Sequence, residues 1–112
     1  MVPATQNIKI TRGDTEVFVF TLQNADGTPM NLTGSSFASQ IRYAYDSATV
    51  GAAFVCTLTN AVGGVVTATL SAGDSALLTT GSAFWDLQRT VGGVVTTILS
   101  GKCSILPDVT RL

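Results

Sequence analysis

The sequence predicts an all-β domain, an antiparallel β-sandwich of about seven to nine short strands, with a small β-barrel as the rival closure. Three observations carry this. Thr15 to Leu22 alternates, with Phe18, Phe20 and Leu22 on one face and Val17, Val19 and Thr21 on the other. Turn formers recur at intervals of about 8–12 residues. Two runs, Val62-Gly63-Gly64-Val65-Val66-Thr67 and Val91-Gly92-Gly93-Val94-Val95-Thr96, set a glycine pair between β-branched residues. Tight hairpins need positive φ, which glycine enters without steric cost.

Residues 1–6 read as a loose arm, and Asn7 to Thr11 as a short first strand. Arg12-Gly13-Asp14 turns the chain into the Phe18/Phe20 strand. Asn24 to Pro29 is dense in turn formers, with Asp26-Gly27 supplying the bend. Leu32 is expected inside. Phe37 to Tyr45 is the next strand, with Phe37, Ile41, Tyr43 and Tyr45 on one face and Gln40 and Arg42 on the other. A polar loop covers Asp46 to Gly51.

Phe54 to Val62 leads into the first glycine pair. Phe54, Cys56 and Leu58 share a face with Val66, Ala68 and Leu70 only if the connection is odd in length, which predicts a three-residue loop with a bulge. A slip of one residue would turn the apolar set outward. At Gly92-Gly93 a two-residue loop suffices and puts Trp85, Leu87 and Ile98 on one face. Beyond Ile98 the apolar face moves to Cys103 and Ile105, and Gly101 is the expected bulge. Ser71 to Leu78 allows one helical turn capped by Ser71 or Asp74, with Leu77 and Leu78 closing the core. Pro107 ends the last strand. A single domain over residues 1–112 with these strands matches an immunoglobulin-like sandwich.

Charged residues make up 12 % of the chain, about half the usual share, and Thr and Ser take over the surface. That suits a protein packed against neighbours. The net charge is −1 with no basic cluster, which argues against nucleic acid. No run of about 18 apolar residues suggests a membrane helix. The N-terminus lacks the regions of a signal peptide, so the chain is expected to stay in the cell that makes it or to leave by lysis. There is no histidine, which removes His-dependent triads, and no metal or cofactor site is expected. Cys56 and Cys103 read as buried thiols, with a disulfide as the alternative.

The carboxylate pairs Asp14/Glu16 and Asp74/Asp86 show no catalytic or calcium-binding arrangement and read as solvated surface, with Asp86 pointing away from the core. Arg12-Gly13-Asp14 spells an adhesion tripeptide but reads as a turn with its charges in water. Trp85, Tyr43 and Tyr45 could form a sugar platform, yet their alternation assigns them to the core, with Trp85 against Phe18 and Phe20. The hairpin tips are the expected contact surface: Val62, Gly63 and Gly64 on one, Val91, Gly92, Gly93 and Val94 on the other. They are exposed, apolar and uncharged, and the edge strands are short of Lys and Glu.

Ile10-Thr11-Arg12-Gly13-Asp14-Thr15-Glu16-Val17-Phe18, followed by Asp26-Gly27-Thr28-Pro29-Met30-Asn31-Leu32-Thr33-Gly34, resembles small tailed-phage virion proteins with an immunoglobulin-like domain. It is similar to the N-terminal domain of the upper baseplate protein family. Ile41-Arg42, Gly81-Ser82-Ala83-Phe84-Trp85 and Val109-Thr110-Arg111 fit the later motifs. The resemblance implies a non-enzymatic virion structural protein assembled in the host cytoplasm. Larger members carry further domains, so an accessory subunit is implied, a capsid decoration or cement protein or a tail or baseplate component. Its partners would be other virion proteins or a second copy of itself. The alternative is a host-glycan-binding module of the particle, using an exposed Tyr45.

Overall fold

A computed structural model describes residues 4–44 and 50–109. Eight strands and one helical turn follow in order: β1 Ala4–Thr5, β2 Ile8–Thr11, β3 Glu16–Thr21, β4 Ser36–Arg42, β5 Ala52–Asn60, β6 Val65–Leu70, α1 Ala72–Ser75, β7 Gly81–Val91 and β8 Val94–Leu106. The neighbour order is β1-β8-β7-β4-β5-β6-β3, with β2 also on β8. β5 joins the layers. Its start, Ala52 to Phe54, pairs with β4, and Val55 to Asn60 pairs with β6. The sheet therefore curls into two facing layers, β1/β2-β8-β7-β4-β5 and β5-β6-β3. The expected all-β domain of two packed layers is what the chain forms, as one curled sheet.

The alternation read from the sequence is the packing. Phe18, Phe20 and Leu22 face inward from β3 while Val17, Val19 and Thr21 face out. The Phe20 ring stacks on Trp85 of the opposite layer at 5.4 Å, and Phe18 meets Phe54 edge-on. Leu32 is fully buried. Ser71 caps α1 by accepting from the Asp74 backbone N–H, and Leu78 closes the core, whereas Leu77 is exposed.

Not every pair is antiparallel. β1 and β2 both run parallel to β8, so the segment expected as a loose arm is tied into the sheet from Ala4. Between these two strands the chain jogs. The Gln6 N–H donates to the Ser100 carbonyl, while the Gln6 carbonyl accepts the Trp85 indole N–H at 2.7 Å. Asn7 Oδ1 accepts the Lys102 backbone N–H. The jog crosses Gly101, which pairs with Trp85. A Cβ on Gly101 would lie 2.3 Å from the Gln6 oxygen. Gly101 is thus a close-approach position and not the expected bulge. The bulge lies one turn of the pleat earlier. Leu87 pairs with Leu99 and Gln88 with Thr97, leaving Ile98 as the extra residue. Ile98 and Leu99 both reach the core, and Cys103 and Ile105 return to the inner face.

The first hairpin has the predicted parity and a different loop. Cys56 opposes Ala68 and Leu58 opposes Val66, as the apolar faces demand. Asn60 then pairs with Val65, so the loop is four residues, Ala61 to Gly64, and the register shift falls at Thr59. The second hairpin closes through two residues, Gly92 at φ 57° and Gly93 at φ 79°, between paired Val91 and Val94.

Candidate interaction surfaces

The two hairpin tips lie at one end of the sandwich, and they differ. At the β7–β8 tip Val91, Gly92, Gly93, Val94 and Val95 are all exposed, Val94 by 63 %. At the β5–β6 tip only Val62 is prominent, at 70 %. Gly64 is buried: its carbonyl accepts the Leu22 N–H, and its α-carbon lies against the backbone of Leu22 and Met30. Gly63 is half-buried, and its N–H donates to Asn60 Oδ1. Gly63 and Gly64 hold the chain's own loop. That loop continues to Arg89 of β7, whose guanidinium donates to Ser35 Oγ, the Asn31 carbonyl and the Met30 sulfur.

A second surface is the outer face of the β5-β6-β3 layer. Cross-strand rows read Val17–Thr69–Val55, Val19–Thr67–Thr57 and Thr21–Val65–Asn60. Every residue in these rows but Asn60 is Val or Thr. Val19 is 62 % exposed and Val55 69 %. β3 is the edge of this layer, so its outer backbone donors and acceptors are left unpaired in the strand order. Sequence reasoning singled out the tips and missed this face, although the alternation of β3 already placed Val17 and Val19 outside.

The other layer presents a polar groove. β4 and β7 run side by side with Ala38 opposite Gln88, Gln40 opposite Asp86 and Arg42 opposite Phe84. These residues line a cavity of about 240 Å³. Asp86 points away from the core, as expected, but it is half-buried rather than solvated. Burial raises its carboxyl above the ordinary value, and the Arg42 guanidinium pulls it back. Arg42 Nη2 donates to Gln40 Oε1 at 2.9 Å.

The remaining sequence candidates are placed as follows. Arg12 pairs with Asp108 at 3.7 Å, and the Asp14 carbonyl accepts the hydroxyl of buried Ser75, so the adhesion-like tripeptide is a pinned corner with Arg12 held out of open water. Glu16 accepts the Thr11 backbone N–H, and Asp74 sits in α1, far from Asp86 in the chain's pairing. Among the described residues no three His, Cys, Asp or Glu side chains gather as a metal site. No helix among them is long and apolar enough to cross a membrane. Tyr43 does not join the core: it is partly exposed, and its hydroxyl accepts the Thr79 N–H. Tyr45 and the glycan reading built on it fall outside the described residues, as do Thr110 and Arg111.

Cys56 and Cys103 are free thiols. Burial, with Glu16 adding to it, pushes Cys103 up to about 11 from an ordinary 9.0. The folded chain holds this proton where the unfolded chain releases it. Stability is therefore expected to be flat in this group below pH ~9 and to fall as pH rises from ~9 to ~11, by up to about 2 kcal/mol. Urea midpoints at pH 8 and pH 10.5 check this, and Cys103→Ala should remove that part of the slope.

No family model and no curated protein sequence matches the chain. Among solved structures it is similar to the N-terminal domain of phage TP901-1 ORF48, with a TM-score of 0.54 and 17 % identity over 96 % of this chain and 91 % of that one. It also overlays the Lin-41 filamin domain at TM-score 0.47 and 19 % identity, covering 87 % of this chain and 81 % of that one. A family 123 glycoside hydrolase from Clostridium perfringens overlays at TM-score 0.42 and 13 % identity, with 97 % of this chain on 24 % of that one. The first of these likenesses shows a shared fold across nearly the whole domain.

Proposed function

We propose that this chain is a non-enzymatic structural subunit of a phage particle, assembled in the host cytoplasm, which binds other virion proteins. One observation carries the reading: nearly the whole domain shares its fold with the N-terminal domain of a phage protein. The surfaces support it. An uncharged Val/Thr face with an open edge strand is a liability for a lone chain and a contact for an assembled one. The β7–β8 tip adds Val91, Val94 and Val95 at one end. The subunit sits on the head as a decoration or cement protein, or on the tail or baseplate.

Purified particles of the phage that encodes the chain should contain it in many copies, counted by quantitative mass spectrometry and located by electron microscopy. Val94→Glu at the tip and Val19→Lys on the β3 face place charge where a contact must be dry. The pair is expected to cut incorporation at least tenfold while circular dichroism and the unfolding midpoint stay close to wild type. A chain found only in the lysate and never in the particle would overturn the proposal.

A further inference from the structure

The backbone of β3 faces two ways. Leu22 donates its N–H to the Gly64 carbonyl, on the β6 side. Backbone groups alternate along a strand, so those of Phe18 and Phe20 also face β6, opposite Ala68 and Val66. The N–H and C=O of Val17, Val19 and Thr21 therefore point to the open edge. Among the described residues none of these outward groups has a partner. The chain that follows leaves them open. The Met30 N–H donates to the Leu22 carbonyl and the Asn24 N–H to the Thr28 carbonyl, so residues 24–30 fold back on the β6 side. The edge also lacks the usual guards: residues 17–22 hold no charge and no proline, and the pairing with β6 runs from Glu16 to Thr21 without a bulge.

This edge is complementary to itself. Antiparallel pairing about a two-fold axis at Val19 sets Val19 opposite Val19 of a second copy, and Val17 opposite Thr21 of that copy. Residues facing one another in this way exchange both backbone bonds, so every outward N–H meets a C=O. Phe18 falls opposite Phe20 of the second copy on the inner side, where both rings are only half-buried in the single chain. Val17 and Val19, 56 % and 62 % exposed, carry the outer rows across the junction. Moving the axis by one residue sets Thr21 or Val17 beyond the end of the other strand. Charge also permits the register. Glu16, the acidic residue of β3, stands opposite Leu22 of the second copy, and the two Glu16 lie about 20 Å apart, twice the screening length of about 10 Å. We infer that the chain forms a two-fold dimer by pairing β3 with β3 of a second copy, which joins the two β5-β6-β3 layers into one sheet. A strip about 20 Å long and one sheet thick is small beside the roughly 800 Å² per partner of a standard interface, so a Kd on the order of 100 µM is expected. The dimer does not depend on the virion reading: it can form off a particle, and a monomer can be built into one.

The test is sedimentation equilibrium of the full chain from about 10 µM to about 1 mM, with amide NMR over the same range. A reversible monomer–dimer equilibrium is expected, with concentration-dependent shifts centred on Val17, Val19 and Thr21. Val19→Lys and Val19→Glu each set like charges across the axis and should weaken the dimer at least tenfold. An equimolar mixture of the two sets opposite charges there and should dimerise again. Val19→Pro removes an outward N–H while leaving the ladder to β6 intact, and should abolish the dimer. Circular dichroism checks that each variant is folded, and if Val19→Pro is not, the charge pair decides. Four results would overturn the inference: a chain still monomeric at about 1 mM, a dimer indifferent to the substitutions, a mixture no tighter than either variant alone, or shifts centred on the β7–β8 tip. A monomer that nevertheless enters particles would sink the dimer and leave the virion reading standing.

Discussion

Gly101→Ala is expected to lower the unfolding free energy by about 3–5 kcal/mol, among the largest effects of a single methyl group in this chain. The new Cβ would stand 2.3 Å from the Gln6 oxygen and 2.7 Å from its carbonyl carbon. Both are backbone atoms, so no side chain can swing aside. The β1–β2 jog would have to lift from β8. Lifting it breaks the bond from the Trp85 indole to Gln6 and leaves an N–H unpaired on a residue only 3 % exposed. Trp85→Phe removes that bond without the clash and is expected to cost about 1–2 kcal/mol. Urea unfolding followed by tryptophan fluorescence checks the first variant, and circular dichroism serves for the second. A loss under about 1 kcal/mol for Gly101→Ala would mean that the N-terminal strands yield freely and that Gly101 is not a close-approach position.

The same glycine shows where reading the sequence stops. The pattern of β8 demands one extra residue between Ile98 and Cys103, because the apolar face changes parity there. It does not say which residue. Glycine often marks a bulge, so Gly101 drew the assignment. The bulge is at Ile98, and Gly101 answers to Gln6, a residue far away in sequence that only folding brings near. Local alternation made β3 legible, and parity alone fixed which faces of β5 and β6 meet. Parity could not show that the first loop has four residues, since its shape depends on Leu22 and Met30. The parallel pairing of β1 and β2 with β8 carries no local signal at all.

The candidate sites follow the same division. Exposed valines at the β7–β8 tip could be read from a glycine pair between β-branched residues. The Val/Thr face needed only the outward half of an alternation already seen, once β3, β5 and β6 were known to be neighbours. The groove could not be read. Gln40, Asp86 and Gln88 are ordinary polar residues on two strands, and only the register Gln40–Asp86 and Ala38–Gln88 gathers them beside small neighbours.

Gly64→Ala is expected to cost about 3–4 kcal/mol, and its comparison with Gly93→Ala separates two reasons for a glycine. Both positions have positive φ, 75° and 79°, which costs an alanine about 1–2 kcal/mol. A Cβ on Gly93 meets nothing within 4 Å, so that strain is its whole cost. A Cβ on Gly64 would lie 2.4 Å from the Leu22 carbonyl oxygen and 2.9 Å from that of Met30. The Leu22 oxygen accepts the Met30 N–H, and Leu22 donates back to Gly64, so the clash disturbs the crossing that seats the loop running on to Arg89. Overpacking against a fixed backbone adds roughly 1–3 kcal/mol. Gly63→Ala is expected to cost less than Gly64→Ala, because Gly63 has no positive φ and its new Cβ would press only on the movable Asn60 amide. Denaturation of the three variants should therefore rank Gly64 first. If Gly64 and Gly93 prove equally costly, turn conformation alone sets both tips, and the β5–β6 tip is free to make contacts after all.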